Sequence, residues 1–212
     1  MNLPALDLNS VFKLDAKQQE ILHKCEMELQ RTAVKLNQYH LLYQTPSSYE
    51  TLSESASTFF ALIQQSLTAD ILQSLARLYD PKTTGRGQNE NCSLYWLADN
   101  LPKPVGDTVL KALDSGKSKR TALETWRNKI GSHTDYSHAV KIVPVPEVGV
   151  AETGELTKET GQLLNYIRAQ SQGPYLYDPI DYDPPVIEGA QELITMLKDG
   201  IAYRRQHKAK HS

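Results

Sequence analysis

The sequence predicts an all-α protein built around two long antiparallel helices, with several shorter helices beside them. Three observations lead to this fold class. Apolar residues recur every three or four positions over much of the chain, which is the spacing of a helix face. The segment that joins the two long helices, "TPSSYE", is short and contains Pro46. The 212 residues, 40% of them hydrophobic, are sufficient to bury a core.

The first long helix is predicted over residues 16–44. Asp15 precedes it as the N-cap, and Gln18 occupies the position of a capping-box partner. The residues of one face follow at spacings of three, four or seven, as expected of a long amphipathic helix; they are Ile21, Cys25, Leu29, Thr32, Leu36 and Tyr43.

The second long helix has the strongest helical periodicity in the chain. Pro46 ends the first helix, and Ser47 with Glu50 is predicted to form the capping box of the second. The helix is expected to end near Asp80. Its apolar face consists of Phe60, Ile63, Leu67, Ile71, Leu75 and Leu78.

The shorter helices follow a polar loop, "DPKTTGRGQNEN", that is rich in turn-forming residues. Asn91 is predicted to cap the third helix. Residues 140–150 contain two prolines and are predicted to be extended or looped. Further helices are predicted over 107–115, from Ser118 or Thr121 onward, from Thr157 onward, and around 190–201.

Two regions are predicted along the chain. Residues 1–171 form the helical domain, and residues 172–212 form a Pro- and Tyr-rich linker, a C-terminal helix and a basic tail. The tyrosines of the linker could stack on bases, but we expect them to pack on the bundle. We expect the basic tail to be disordered rather than to bind nucleic acid.

Composition excludes several classes of protein. The formal net charge of -2 gives no overall signature of a nucleic-acid binder, so any such contact must come from a local patch. The two cysteines, Cys25 and Cys92, show no metal-binding spacing and fit a reduced, cytoplasmic protein. We expect no secretory signal and no membrane-spanning segment, because the N-terminus and the apolar runs have the wrong pattern.

The segment "TALETWRNKIGSHTDYS", Thr121–Ser137, places two polar residues beside an apolar helix face. Arg127 lies on one edge of this face and His133 on the other, about 120° apart on an ideal helix. They can meet at one substrate if Gly131 loosens the last turn, or if the face lines a cleft shared with a second copy of the chain. Alternatively, both simply complement the dipole at a helix C-terminus. The face itself consists of Leu123, Trp126 and Ile130.

This segment resembles the signature of the HEPN superfamily, an Arg and a His separated by four to six residues. Here Arg127 is followed by Asn128, and five residues separate Arg127 from His133. Two stretches, "LARLYDPKTTGRGQNENCSLYWL" and "WRNKIGSHTD", are similar to the abortive-infection, AbiU-like branch. The resemblance covers about residues 15–170, although Gly131 and Ser132 replace the usual small apolar pair. It implies a HEPN-type helical bundle.

The resemblance further implies a metal-independent endoribonuclease that acts as a homodimer on RNA. Histidine suits acid and base roles near neutral pH, so His133 of two protomers could share them. Arg127 would neutralise charge on the phosphate, and Asn128 would orient the phosphate or the histidine. No metal or cofactor is expected. A bacterial defence or toxin role, with an antitoxin or regulatory protein as a further partner, is also implied; the alternative is a non-catalytic dimerisation or regulatory module.

Four other residues are candidates for the site, two beside the motif and two at the end of the second long helix. Lys129 could contact RNA phosphate and Asp135 could orient a histidine, but each could equally be a solvated side chain. Arg77 and Asp80 resemble family positions at the end of the second long helix. They could form ion pairs with the motif helix, and we interpret their role as mostly structural.

Overall fold

The computed structural model describes Leu3 and residues 11–85, 87–127, 149–172 and 189–208. These residues are almost entirely helical, which confirms the predicted all-α class. The helices are α1 (Ala16–Tyr39), continued by the π-helical segment His40–Gln44, α2 (Pro46–Leu78), α3 (Leu94–Asn100), α4 (Lys103–Ser115), α5 (Lys117–Trp126), α6 (Val150–Gln172) and α7 (Gly189–Lys208).

The start of α1 has the predicted capping box. The backbone N–H of Gln18 donates to Asp15 Oδ1 at 2.8 Å, and the Asp15 N–H donates to Gln18 Oε1 at 2.9 Å. Two N–H groups that the helix leaves without an internal partner are thereby satisfied. The helical conformation continues to Gln44, as predicted, with the last five residues in the wider π form.

The start of α2 differs from the prediction. The helix begins at Pro46, whose missing N–H and fixed φ suit the first helical position. The carbonyl of Thr45 accepts from the N–H groups of Ser48 and Tyr49, both at 3.0 Å. Ser47 therefore lies inside the first turn, and the predicted capping box is wrong. Within α2 the dihedrals are non-helical at Ala56.

The chain divides into two compact units. The first comprises Met1–Thr32 and Leu72–Asp183. It contains the largest hydrophobic core, to which the start of α1, the end of α2 and helices α3 to α6 contribute. Its fully buried leucines include Leu29, Leu75, Leu97, Leu113 and Leu163.

The second unit comprises Ala33–Ile71 and Pro184–Ser212 and has its own smaller core. Side chains of α1 and α2 pair across it in reverse order along the chain, so the two helices run antiparallel here, as predicted. The pairs are Lys35 with Asp70 at 2.5 Å, Tyr39 with Gln64 at 3.1 Å, and the Tyr43 hydroxyl with the Phe60 carbonyl at 3.1 Å.

A short antiparallel hairpin precedes α3 in the first unit. Its strands are β1 (Thr83–Thr84) and β2 (Asn89–Glu90), and its turn contains Gly85 at a φ of 60° and Gly87 at 86°, where a side chain would be strained.

The start of α3 is capped by Ser93, whose Oγ accepts from the Trp96 N–H at 3.2 Å. The prediction that Asn91 is the cap is therefore wrong. The Asn91 side chain instead donates to the Pro81 carbonyl at 2.6 Å, which closes the base of the hairpin. Both contacts fix the segment that leads from α2 into α3.

Two later helices begin earlier than predicted. Helix α4 starts at Lys103 rather than at residue 107, and α6 starts at Val150 rather than at Thr157. Among the helices described, none has the length and apolar character needed to cross a membrane.

Candidate functional site

Three of the seven predicted site residues lie in the described part of the chain: Arg77, Asp80 and Arg127. The other four lie outside the described residues; they are Asn128, Lys129, His133 and Asp135.

Helix α5 positions Arg127 at its C-terminal end. Leu123 is fully buried, and Trp126 packs partly buried against the core of the first unit. These two side chains determine which face of the last turn of α5 is turned towards the core. They leave Arg127 at the edge of the buried face, with 22% of its side chain exposed.

Arg127 forms an ion pair with Asp80. Its Nη1 donates to Asp80 Oδ1, and the two side chains are exposed to a similar extent, 22% and 23%. Asp80 follows the C-terminal end of α2, where its N–H donates to the Arg77 carbonyl at 3.2 Å. The pair thus joins the turn after α2 to the end of α5.

The side chain of Arg77 contacts α1 rather than α5. Its Nε donates to Glu28 Oε1 of α1 at 3.2 Å, and its Nη2 donates to Ser74 Oγ at 3.0 Å. The structure therefore brings Asp80, but not Arg77, to the helix that carries Arg127.

A buried arginine lies close to this site, and the sequence analysis missed it. Arg120 is 1% exposed, and its Nη2 donates to the Leu113 carbonyl at 2.5 Å and to the Tyr95 hydroxyl at 3.1 Å. Its guanidinium lies over the ring of Tyr79, 4.5 Å from the centroid. Its Nε has no hydrogen-bond partner among the residues described. One signal was available: Arg120 precedes Leu123 by three positions and so continues the buried face of α5.

Tyr79 connects this cluster to α6. Its hydroxyl lies 2.5 Å from Thr160 Oγ1. Because Thr160 already donates to the Leu156 carbonyl at 2.7 Å, the Tyr79 hydroxyl is the donor. Burial raises the pKa of Tyr79 above its ordinary value, which keeps this proton in place.

A cleft of about 610 Å³ opens beside Arg127 in the first unit. Residues from the turn after α2 and from α3, α4 and α5 line it, and Tyr79 and Tyr95 contribute to its walls. The cleft is therefore bordered both by the motif arginine and by the two tyrosines that contact Arg120.

Arg127 directly follows α5 and precedes Asn128 in the sequence, and this is the motif that resembles the HEPN signature. The profile of the HEPN_AbiU2 family, described as AbiU2, matches residues 18–170. The chain belongs to this family, and the predicted resemblance to the AbiU-like branch is confirmed. Comparison with curated proteins and with solved structures gave no match.

Proposed function

We propose that the protein is a metal-independent endoribonuclease of HEPN type that works in the cytoplasm as a homodimer. The observation that carries the proposal is the position of Arg127. The chain belongs to the HEPN_AbiU2 family, and Arg127 lies partly exposed on the wall of a cleft. In the sequence, Asn128 follows it directly, and five residues separate it from His133. A role in bacterial defence, as a toxin controlled by an antitoxin or another regulator, is part of the same proposal.

The reaction requires no group beyond those of the chain. The RNA 2′-oxygen attacks the adjacent phosphorus, and the bond from phosphorus to the 5′-oxygen breaks. One His133 takes the proton of the 2′-hydroxyl, and the His133 of the other protomer gives a proton to the leaving 5′-oxygen. The products are a 2′,3′-cyclic phosphate and a 5′-hydroxyl. Because one histidine must be neutral and the other charged, activity follows a bell-shaped pH profile.

The ion pair with Asp80 supports the role proposed for Arg127. It holds the guanidinium in place before a substrate binds, so less conformational entropy is lost on binding. A phosphate can then form charge-assisted hydrogen bonds to the same planar group, where they stabilise the negative charge of the transition state.

The proposal is tested by incubating purified protein with bulk RNA in the presence of a chelator. We expect cleavage that leaves 2′,3′-cyclic phosphate ends, and we expect Arg127→Ala and His133→Ala to abolish it while the circular dichroism spectrum stays unchanged. Arg205→Ala is the matched control, since it removes one arginine from an exposed pair with Glu54 in the second unit. Products with 5′-phosphate ends that require a divalent metal would refute the mechanism.

A second candidate function is a non-catalytic dimerisation or regulatory module. The observation that favours it is the same ion pair, because an arginine held by a carboxylate at 22% exposure can serve as a purely structural contact. In that case the wild-type protein cleaves no RNA at any pH, and Arg127→Ala weakens the dimer instead. Cleavage and molecular mass measured on the same samples distinguish the two functions.

A further inference from the structure

The cleft beside Arg127 has the size and lining of a ligand site. Its volume of about 610 Å³ lies within the range of roughly 300–1,000 Å³ that is usual for small-molecule sites. Apolar side chains form part of its surface, among them Leu101 and the exposed Leu110, and Tyr95 adds an aromatic side chain. Such a surface can accommodate the flat face of a nucleobase.

Two lysines at the cleft are available to bind an anion. Lys103 is the first residue of α4 and Lys117 is the first residue of α5, and both are exposed. Within the part of the chain that the structure describes, neither forms an ion pair. Lys82 of the same cleft, by contrast, is paired with Asp99 at 2.8 Å. Lys103 and Lys117 are therefore the cations that a ligand can reach without breaking an existing pair.

The spacing of the cations indicates an extended ligand. Lys117 and Arg127 lie at opposite ends of α5, and at about 1.5 Å per residue they are separated by roughly 15 Å along the helix axis. Both border the same cleft. A chain of phosphates can contact both of them at once.

Buried Arg120 adds positive potential behind the cleft wall. Its guanidinium contacts Tyr79 and Tyr95, and both of these residues line the cleft. A charge at 1% exposure is screened by solvent much less than a surface charge. Arg120 therefore favours an anion in the cleft without forming part of its surface.

Besides Asp99, which is paired with Lys82, two further carboxylates of the cleft limit what kind of polyanion fits. Asp107 and Glu124 also line it, and they repel a ligand that carries only phosphates. They can accept hydrogen bonds from the amino groups of unpaired nucleobases. We infer that the cleft binds a segment of single-stranded RNA next to the cleaved phosphate, with Lys103 and Lys117 on its backbone; this inference rests on the proposed function.

Binding is tested by titration calorimetry with a short 2′-O-methyl oligoribonucleotide, which cannot be cleaved because it lacks the attacking hydroxyl. We expect Lys103→Ala and Lys117→Ala each to raise Kd by about fivefold to tenfold, as for the loss of one charge-assisted contact. Each should also reduce the slope of log K against log salt by about 0.7. Lys111→Ala is the matched control, because Lys111 is an exposed lysine of α4 that does not line the cleft.

Three results would overturn the inference. One is wild-type affinity in both cleft variants, the second is an equal loss in the Lys111→Ala variant, and the third is the same lysine-dependent binding of poly(glutamate), a polyanion without bases. A cleavage assay on the same proteins separates this inference from the proposed function. If the wild-type protein cleaves RNA but the cleft variants bind normally, only the inference fails; if binding depends on the lysines and no RNA is cleaved, only the nuclease proposal fails.

Discussion

At the scale of single residues, the contact between Asp80 and Arg127 determines how the site is held together. Asp80 lies just after α2, and Arg127 lies just after α5, so one ion pair fixes the ends of two helices. Both side chains are mostly buried, so solvent screens their attraction less than it screens a surface ion pair.

We expect Asp80→Asn to reduce the free energy of unfolding by about 1–3 kcal/mol, because it removes one charge from an ion pair that is mostly buried. Asp99→Asn provides the matched control. It removes the same charge from the pair with Lys82, in which both side chains are more than half exposed, and pairs of this kind contribute roughly 0–1 kcal/mol. Urea denaturation followed by circular dichroism measures both variants. Equal losses would show that the Asp80–Arg127 pair contributes no more than a surface contact.

The two cysteines should differ in reactivity. Burial raises the pKa of the Cys25 thiol to about 12, whereas Cys92 is exposed. At pH 8 only about one Cys25 in ten thousand would then be a thiolate, the form that reacts with an alkylating reagent. We expect iodoacetamide to modify Cys92 alone in the native protein and both cysteines in urea, as measured by mass spectrometry. Rapid modification of native Cys25 would contradict the buried position.

Sequence could single out Arg127 and Asp80 as candidates because the residues around them resemble a known motif. The partner of Arg77 could not be identified in this way, since Glu28 is distant in sequence and belongs to another helix. Burial of Arg120 was missed for a related reason. Its neighbours Tyr79 and Tyr95 come from other elements, and only the fold brings them together.

At the scale of secondary-structure elements, the packing of α3 against α4 depends on Gly106. A Cβ at this position would overlap the carbonyl oxygen of Ala98 and lie 3.3 Å from that of Leu101. The first contact is with backbone atoms, so it can be relieved only by moving the two helices apart. Because α4 also packs on α5 and α6, such a movement would reach the cleft.

A glycine-to-alanine comparison tests this packing. Where the added methyl group meets no obstacle, a glycine-to-alanine exchange in a helix raises the free energy of unfolding by roughly 0.5–1 kcal/mol. We expect this for Gly200→Ala in α7, where nothing lies within 4 Å of the added Cβ. We expect Gly106→Ala to have the opposite effect and to lower the free energy of unfolding by about 1–3 kcal/mol, because the added methyl group overpacks the contact. Melting temperatures of the two variants measure the difference. A stabilised Gly106→Ala protein would show that the α3–α4 contact is loose.

The boundaries of the elements could be predicted where local chemistry determines them. The capping box of Asp15 and Gln18 is an example, because both partners belong to the same turn. Helix α4 was predicted too short because Pro102 and Pro104 resemble helix breakers, yet proline is tolerated in the first turn. Helix α6 was also predicted too short, because the valines before it favour strands, although Gly149 hydrogen-bonds to Glu152 at its start.

At the scale of the whole molecule, the main expectation is a two-fold homodimer with the helix that carries Arg127 near the axis. The expectation follows from the proposed mechanism, in which two histidines would act as acid and base at one composite site. Light scattering at micromolar concentration measures the assembly. A fully active monomer would contradict it.

Mixed dimers provide a sharper test of the composite site. If each site needs His133 from both protomers, a dimer of wild-type and His133→Ala chains is inactive. An equimolar mixture, unfolded and refolded together, should then retain about one quarter of the wild-type rate rather than one half. A Lys111→Ala chain mixed in the same way should leave the rate unchanged. Retention of half the rate would indicate that each protomer acts alone.

The division into two units could not be predicted from the sequence. Helical periodicity shows which face of a helix is buried but not which partner covers it. The second unit combines residues 33–71 with the helix α7, whereas α7 belongs to the predicted separate region 172–212. The family match ends at residue 170, so it does not include α7.

The two tryptophans lie in different environments, so their intrinsic fluorescence can be used as a probe of the protein. Trp96 is buried at 4% exposure, with Lys17 over its ring and its Nε1 donating to Glu90. Trp126 is only partly buried and directly precedes Arg127. We expect a ligand that binds Arg127 in the cleft to change the charge close to Trp126, its neighbour in the chain, and to leave Trp96 in the core. In a Trp96→Phe protein, the intrinsic fluorescence therefore comes from Trp126 alone and follows events at the end of α5 without an attached dye.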